Sequence, residues 1–126
     1  MAAEVKRATR VAEGIRAELA TLLGRRIRDP RVAGVIVSRV IVTDDLRSAK
    51  IYVRLLDGDT AREKELLTGL KSAQGMLRSA ITKALSLRFA PELRFFYDES
   101  IEKRARVDEL LHEIDREQRG GTRNTP

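Results

Sequence analysis

Proton transfer and nucleophilic attack both need a poised group beside an orienting partner. The chain supplies little to build one, with a single histidine, His112, and no cysteine. His112 stands in the charged run Leu110-Leu111-His112-Glu113-Ile114-Asp115-Arg116 and reads as a solvated helix residue. Asp44-Asp45 and Asp57-Gly58-Asp59 could offer carboxylates to Mg²⁺, which makes a metal-dependent nuclease the enzymatic rival. Two acids beside a glycine are also ordinary turn chemistry, and turns are the simpler reading. A phosphate-cradling glycine loop is missing, since Gly58 stands alone and Gly120-Gly121 leads into no helix. The expectation is a binding protein rather than an enzyme, without cofactor or metal.

Basic residues offer more. Arg25, Arg26, Arg28 and Arg31 crowd one short connection with only Asp29 against them. Lys64, Thr68, Lys71, Gly75, Arg78 and Thr82 follow at spacings of 4, 3, 4, 3 and 4, which makes a polar, basic stripe on a helix. Lys50, Tyr52 and Arg54 share one face of a strand, and Arg94 with Phe96 repeats the pattern later. Cations interleaved with aromatics suit stacking on unpaired bases. A competing reading has the last helix covering that face, with Phe96 in the core. The charge is unevenly placed: residues 1–97 carry 19 Lys+Arg against 11 Asp+Glu, a balance of +8, while 98–126 carry 6 against 8, a balance of −2. With a pI near 10.2, this points to a polyanionic partner engaging the first three quarters of the chain.

These side chains need elements to hold them. Ala8, Val11, Ala12, Ile15, Leu19, Leu22 and Leu23 keep the spacing of one helix face, ending near Gly24. Asp29-Pro30 closes the next segment, because a residue before proline avoids the helical region. Val35–Thr43 is rich in β-branched residues and Ala49–Leu56 alternates; joined by Asp44-Asp45-Leu46-Arg47, they form an antiparallel hairpin. Thr60 and Glu63 have the spacing of a capping box. The helix they open carries Leu66, Leu70, Ala73, Leu77, Ile81 and Ala84, and Gly75 at its centre predicts a kink or break. Leu93–Tyr97 reads as a third strand, and Asp98 or Ser100 can cap a last helix bearing Ile101, Leu110, Leu111 and Ile114. One domain over 1–118 and a disordered tail over 119–126 follow. No stretch approaches the roughly 20 apolar residues of a membrane span, and nothing at the N-terminus resembles an export signal. Without cysteine a reducing, cytoplasmic setting fits.

Several segments together resemble the bacterial ribosome-binding factor A family of small-subunit maturation factors. They are Ile27-Arg28-Asp29-Pro30-Arg31, Val40-Ile41-Val42-Thr43-Asp44-Asp45-Leu46, Ala49-Lys50-Ile51-Tyr52-Val53, Ala73-Gln74-Gly75 with Leu77-Arg78, and Leu87-Arg88-Phe89-Ala90-Pro91-Glu92-Leu93-Arg94-Phe95 followed by Asp98-Glu99-Ser100. The resemblance covers roughly residues 5 to 115. It implies an α+β, type II KH-like fold: helix-strand-strand-helix-(kink)-helix-strand plus a C-terminal helix, with a three-stranded mixed sheet and helices on one side. Ordinary KH domains clamp a nucleic-acid backbone with a Gly-x-x-Gly loop; here Ala73-Gln74-Gly75 stands in its place, as in the family. The implied role is non-catalytic binding of the immature small (30S) subunit and its 16S ribosomal RNA, assisting late maturation including 5′-end processing, especially in the cold. The partners implied are the small subunit with its RNA and an assembly GTPase, with no membrane, and the protein is expected to be a monomer. Arg25, Arg26, Arg28, Arg31, Lys64, Lys71, Gln74, Gly75 and Arg78 are the expected RNA-binding residues. The alternative is a generic KH-like single-stranded RNA binder without ribosome preference.

Overall fold

The computed structural model describes residues 2–25, 27–56, 59–99, 111 and 113–115. In chain order it has α1 (Ala2–Arg25), a 3-10 turn (Pro30–Val32), β1 (Val35–Val42), β2 (Ser48–Leu55), α2 (Thr60–Ala84) and β3 (Glu92–Tyr97). β1 and β2 pair antiparallel, β2 and β3 parallel, in the order β1-β2-β3. The sheet is therefore mixed, with β2 central. The expected last helix falls mostly outside the described residues; of it, Leu111 and residues 113–115 are helical and exposed. The boundary at 118 and the tail 119–126 also lie outside them.

The apolar periodicities become the core. Ala8, Ala12, Ile15, Leu19, Leu22 and Leu23 of α1 are buried together with Leu66, Leu70, Leu77 and Ile81 of α2. Ala49, Ile51, Val53 and Leu55 of β2 and Leu93 of β3 complete one cluster, so both helices lie on the same sheet face. α1 rests on β1, while α2 spans from the 3-10 turn to β3. This is the KH-like α+β architecture that the resemblance implies.

Two local expectations are corrected. The cap of α2 is Asp59 rather than Thr60: its carboxylate accepts from the Arg62 N–H at 2.8 Å, and an anion is the better partner for the positive end of a helix. The break at Gly75 is also absent, since α2 runs unbroken from Thr60 to Ala84. A glycine inside a helix costs about 1 kcal/mol relative to alanine. Leu66 and Leu70 before it, and Leu77 and Ile81 after it, are fully buried and contribute about 1.5–3 kcal/mol each. Packing on both sides outweighs the local penalty.

The glycine that matters for packing is Gly69. A Cβ there would lie 2.9 Å from Val32 Cγ1 and 3.0 Å from the Cβ of Arg31. Only a bare Cα lets the 3-10 turn settle against α2 this closely. At Gly75 a Cβ would meet nothing within 4 Å.

Candidate nucleic-acid interface

Local hydrogen bonding sorts the expected binding residues into two kinds. Arg25 and Arg28 are exposed where the chain leaves α1, and Arg26 lies outside the described residues. Arg31 is already engaged. Its Nε lies 3.0 Å from both carboxylate oxygens of Asp29 and its Nη2 is 2.6 Å from Oδ2, while its backbone N–H donates to Oδ1 at 2.9 Å. The Arg31 side-chain hydrogen bonds, and then the backbone one, hold the Asp29 carboxyl below its usual range. The Arg31 charge is thus matched at short range, which weakens it as an anchor for an outside phosphate.

The stripe on α2 divides in the same way. Lys64 and Lys71 are exposed with no ion-pair partner among the described residues. Seven residues apart, they stand about 10 Å from each other along the helix axis. Arg78 instead reaches across to the segment before β3, its Nε donating to the Pro91 carbonyl at 2.9 Å and its Nη2 to Ala90 at 2.8 Å. Gln74 Nε2 donates to the Leu93 carbonyl within β3. Arg78 is exposed on the polar stripe, but two backbone carbonyls of the edge segment take up its donors. Gln74 and Arg78 position β3, and Gly75 leaves open space beside them.

The two basic surfaces expected from the sequence do not merge. The turn after α1 meets α2 at Gly69. At about 100° per residue, Lys64 and Lys71 lie roughly 140–160° further around the helix, on the flank toward β3. Partner RNA can follow one flank or span both, but no single cationic patch combines them.

The far face of the sheet carries cross-strand rows. Arg39, Tyr52 and Phe96 are in register, as are Ile41, Lys50 and Arg94. The Arg39 guanidinium sits 4.1 Å over the Tyr52 ring, and Tyr52 stacks on Phe96 with centroids 5.5 Å apart and planes 29° from parallel. Phe96 remains 40% exposed, so it belongs to this outer face rather than to the core. Arg94 Nε is 3.2 Å from Glu92, and Arg54 Nε is buried without a hydrogen-bond partner among the described residues.

Arg39 is the member that alternation hides. Counting in twos from the inward Val35 and Val37 places it inside, but the register shifts between Val37 and Arg39. That bulge gives Ser38 over to hydrogen bonds with the Tyr52 carbonyl at 3.1 Å and with Asp98 at 2.6 Å, and turns Arg39 outward.

The acidic pairs divide between turn and cap. Asp45 Oδ1 accepts from Thr43 Oγ1 at 2.7 Å and from the Arg47 N–H at 3.0 Å; the Thr43 bond, then the Arg47 bond, lowers its pKa. Asp59 is the α2 cap, Asp57 lies outside the described residues, and no group of three or more metal-ligating side chains occurs among the described residues.

Against known proteins, residues 7–111 match the model of the family described as ribosome-binding factor A. The chain belongs to the ribosome-binding factor A family. A ribosome-binding factor A of Sorangium cellulosum is 53% identical over 116 residues, covering 90% of this chain and 93% of that protein. One from Geobacter metallireducens is 46% identical, with 91% and 97% covered. Among solved structures, a Thermotoga maritima protein described as a putative ribosome binding factor A superposes with a TM-score of 0.56 at 36% identity, covering 75% of this chain and 86% of that one. The Thermus thermophilus crystal structure of the same family gives 0.65 at 22% identity, with 74% and 97% covered, and supports the fold. A homology model of the Thermus thermophilus factor, fitted into the cryo-EM map of a 30S complex with it, gives 0.54 at 19% identity, with 74% and 92% covered.

Proposed function

We propose that this protein binds the immature small ribosomal subunit through 16S ribosomal RNA and assists its late maturation, including 5′-end processing, without doing chemistry itself. Membership of the ribosome-binding factor A family over residues 7–111 carries this reading, together with the 30S complex described for the Thermus thermophilus relative. The chemistry on this chain fits. Arg25, Arg28, Lys64 and Lys71 are exposed and unpaired among the described residues, and suit phosphate contacts that position rather than read sequence. Arg26 belongs to the same proposal. Gln74, Gly75 and Arg78 serve it by shaping the flank between α2 and β3. The protein acts as a monomer in the cytoplasm, notably in the cold, and release by an assembly GTPase belongs to the same reading. No helix among the described residues is long and apolar enough to cross a membrane.

The continuous α2 counts against the generic single-strand binder. A KH clamp needs a loop between two helices, and Ala73-Gln74-Gly75 are helical here.

Sedimentation with free small subunits over a salt series tests the proposal. Binding is expected to fall steeply with salt, and Lys64→Ala with Lys71→Ala to reduce the log–log slope by about 1.4–1.8 while leaving the melting temperature unchanged. Equal occupancy of polysomes and free subunits, or a flat salt response, contradicts it.

A further inference from the structure

At the end of the sheet away from the α1 exit, three segments converge on a cleft that the phosphate contacts above do not use. Arg7 of α1, Asp44 and Leu46 of the β1–β2 turn, and Leu87, Arg88 and Phe89 of the α2–β3 connection line it. Phe89 is 59% exposed and stands at the wall of this cleft. Two guanidiniums flank its ring, with Arg47 Cζ 5.8 Å and Arg88 Cζ 5.7 Å from the centroid. These distances are at the outer limit of cation–π contact, and the ring stays open. Tyr52 is the internal contrast, with Arg39 at 4.1 Å on the ring and Phe96 stacked beside it.

The backbone around Phe89 is fixed rather than loose. The Leu87 N–H donates to the Thr82 carbonyl at 2.9 Å, and the Glu92 N–H to the Arg47 carbonyl at 2.8 Å. Arg78 holds Ala90 and Pro91, immediately after the ring. Leu46, at φ 62°, lines the cleft, and Ser86, at φ 51°, directly precedes the lining residue Leu87; these are the two non-glycine residues with positive φ among the described residues. Left-handed backbone at these two positions sets the shape of the β1–β2 turn and of the chain leaving α2. The result is a preorganised aromatic ring that two guanidiniums approach only at the outer limit of cation–π distance.

We propose that the Phe89 ring, between Arg47 and Arg88, is a stacking site for one unpaired RNA base. This rests on the RNA-binding reading above and adds to it the kind of nucleotide recognised. An aromatic face bordered by guanidiniums matches a nucleobase joined to a phosphate backbone. Asp44 and Asp45 also line the cleft, and their negative charge disfavours a phosphate seated in the cleft itself.

The chain has no tryptophan, so Phe89→Trp installs a single indole at the platform. Its emission is to be followed with a single-stranded RNA heptamer, with a fully paired duplex of the same sequence, and with purified small-subunit precursors; Phe89→Ala is compared by sedimentation and by competition. Stacking predicts quenching by the single strand and by the subunit, with little by the duplex. Phe89→Ala should bind both unpaired targets about 5- to 100-fold more weakly at an unchanged melting temperature, and Phe89→Trp should retain wild-type affinity. An indole silent toward single strands, equal quenching by the duplex, or wild-type affinity in Phe89→Ala overturns the site. A loss of subunit binding in Phe89→Ala with a silent indole also overturns it, since the ring then contacts ribosomal protein. Quenching by single strands in a protein that never sediments with subunits upholds the site and removes the ribosomal reading instead.

Discussion

Gly69 and Gly75 sit six residues apart on one helix, and the fold uses them in opposite ways. Gly69 is buried under the 3-10 turn, where a methyl group would run into Val32 and Arg31; Gly75 faces open space. The glycine with the polar neighbours looks functional in the sequence, yet the one beside Leu66 and Leu70 is the one the architecture requires. A glycine next to an apolar stripe reports a neighbour that must come close, whereas one on a polar stripe reports only what the helix tolerates.

The comparison breaks most visibly at Gly69. Gly69→Ala is expected to lower stability by about 1–3 kcal/mol, because Val32 is fully buried and cannot yield freely. Urea unfolding measures this, and an unchanged midpoint would show that the turn can retreat without loss. Arg78→Ala comes next, at about 1–2 kcal/mol for two hydrogen bonds to carbonyls of the β3 approach. Amide exchange should accelerate first in residues 90–97, and uniform acceleration along the chain would argue against a positioning role. Gly75→Ala should reverse the sign, raising stability by about 0.4–1 kcal/mol. A less stable protein there would restore a strained backbone at that position.

The smallest effect concerns the turn that Gly69 admits. The Asp29 carboxyl is held below its ordinary value of 3.8 by Arg31, so its contribution is present above that value and fades as pH falls through the lower folded value. Wild type should therefore exceed Asp29→Asn in melting temperature at pH 7, with the gap closing below about pH 4. A gap that stays constant as pH falls from 7 to well below the ordinary value of 3.8 would assign the difference to packing rather than charge.

Much of this was legible from residue order. Every apolar position assigned to the buried face of α1, apart from the half-buried Val11, lies in the core, and the hairpin and third strand stand where alternation and β-branching put them. Side-chain destinations across the chain were less accessible. Arg78 and Gln74 have the spacing of a solvent stripe, and their acceptors arrive from the 90–93 segment, which no local pattern announces. Arg39 is hidden by one bulged residue, since period-2 counting has no means to register Ser38. The cleft at Phe89 was missed for a related reason: Arg47 and Arg88 lie 41 residues apart in the chain and meet only through the Glu92–Arg47 backbone bond and the turn geometry.

The parallel pairing of β3 with β2 also sets a schedule for synthesis. The β1–β2 hairpin can close as soon as it emerges, but Tyr97 follows Leu55 by 42 residues, with all of α2 between them. At bacterial elongation speeds of about 5–20 residues per second, β2 waits roughly 2–8 seconds with one edge unpaired. During that interval α1, made first and resting on β1, and then α2 shelter the apolar side of the hairpin. Hairpin amides should accordingly gain exchange protection before those of β3 in pulse-labelled refolding, and simultaneous protection would mean that the molecule assembles in one step.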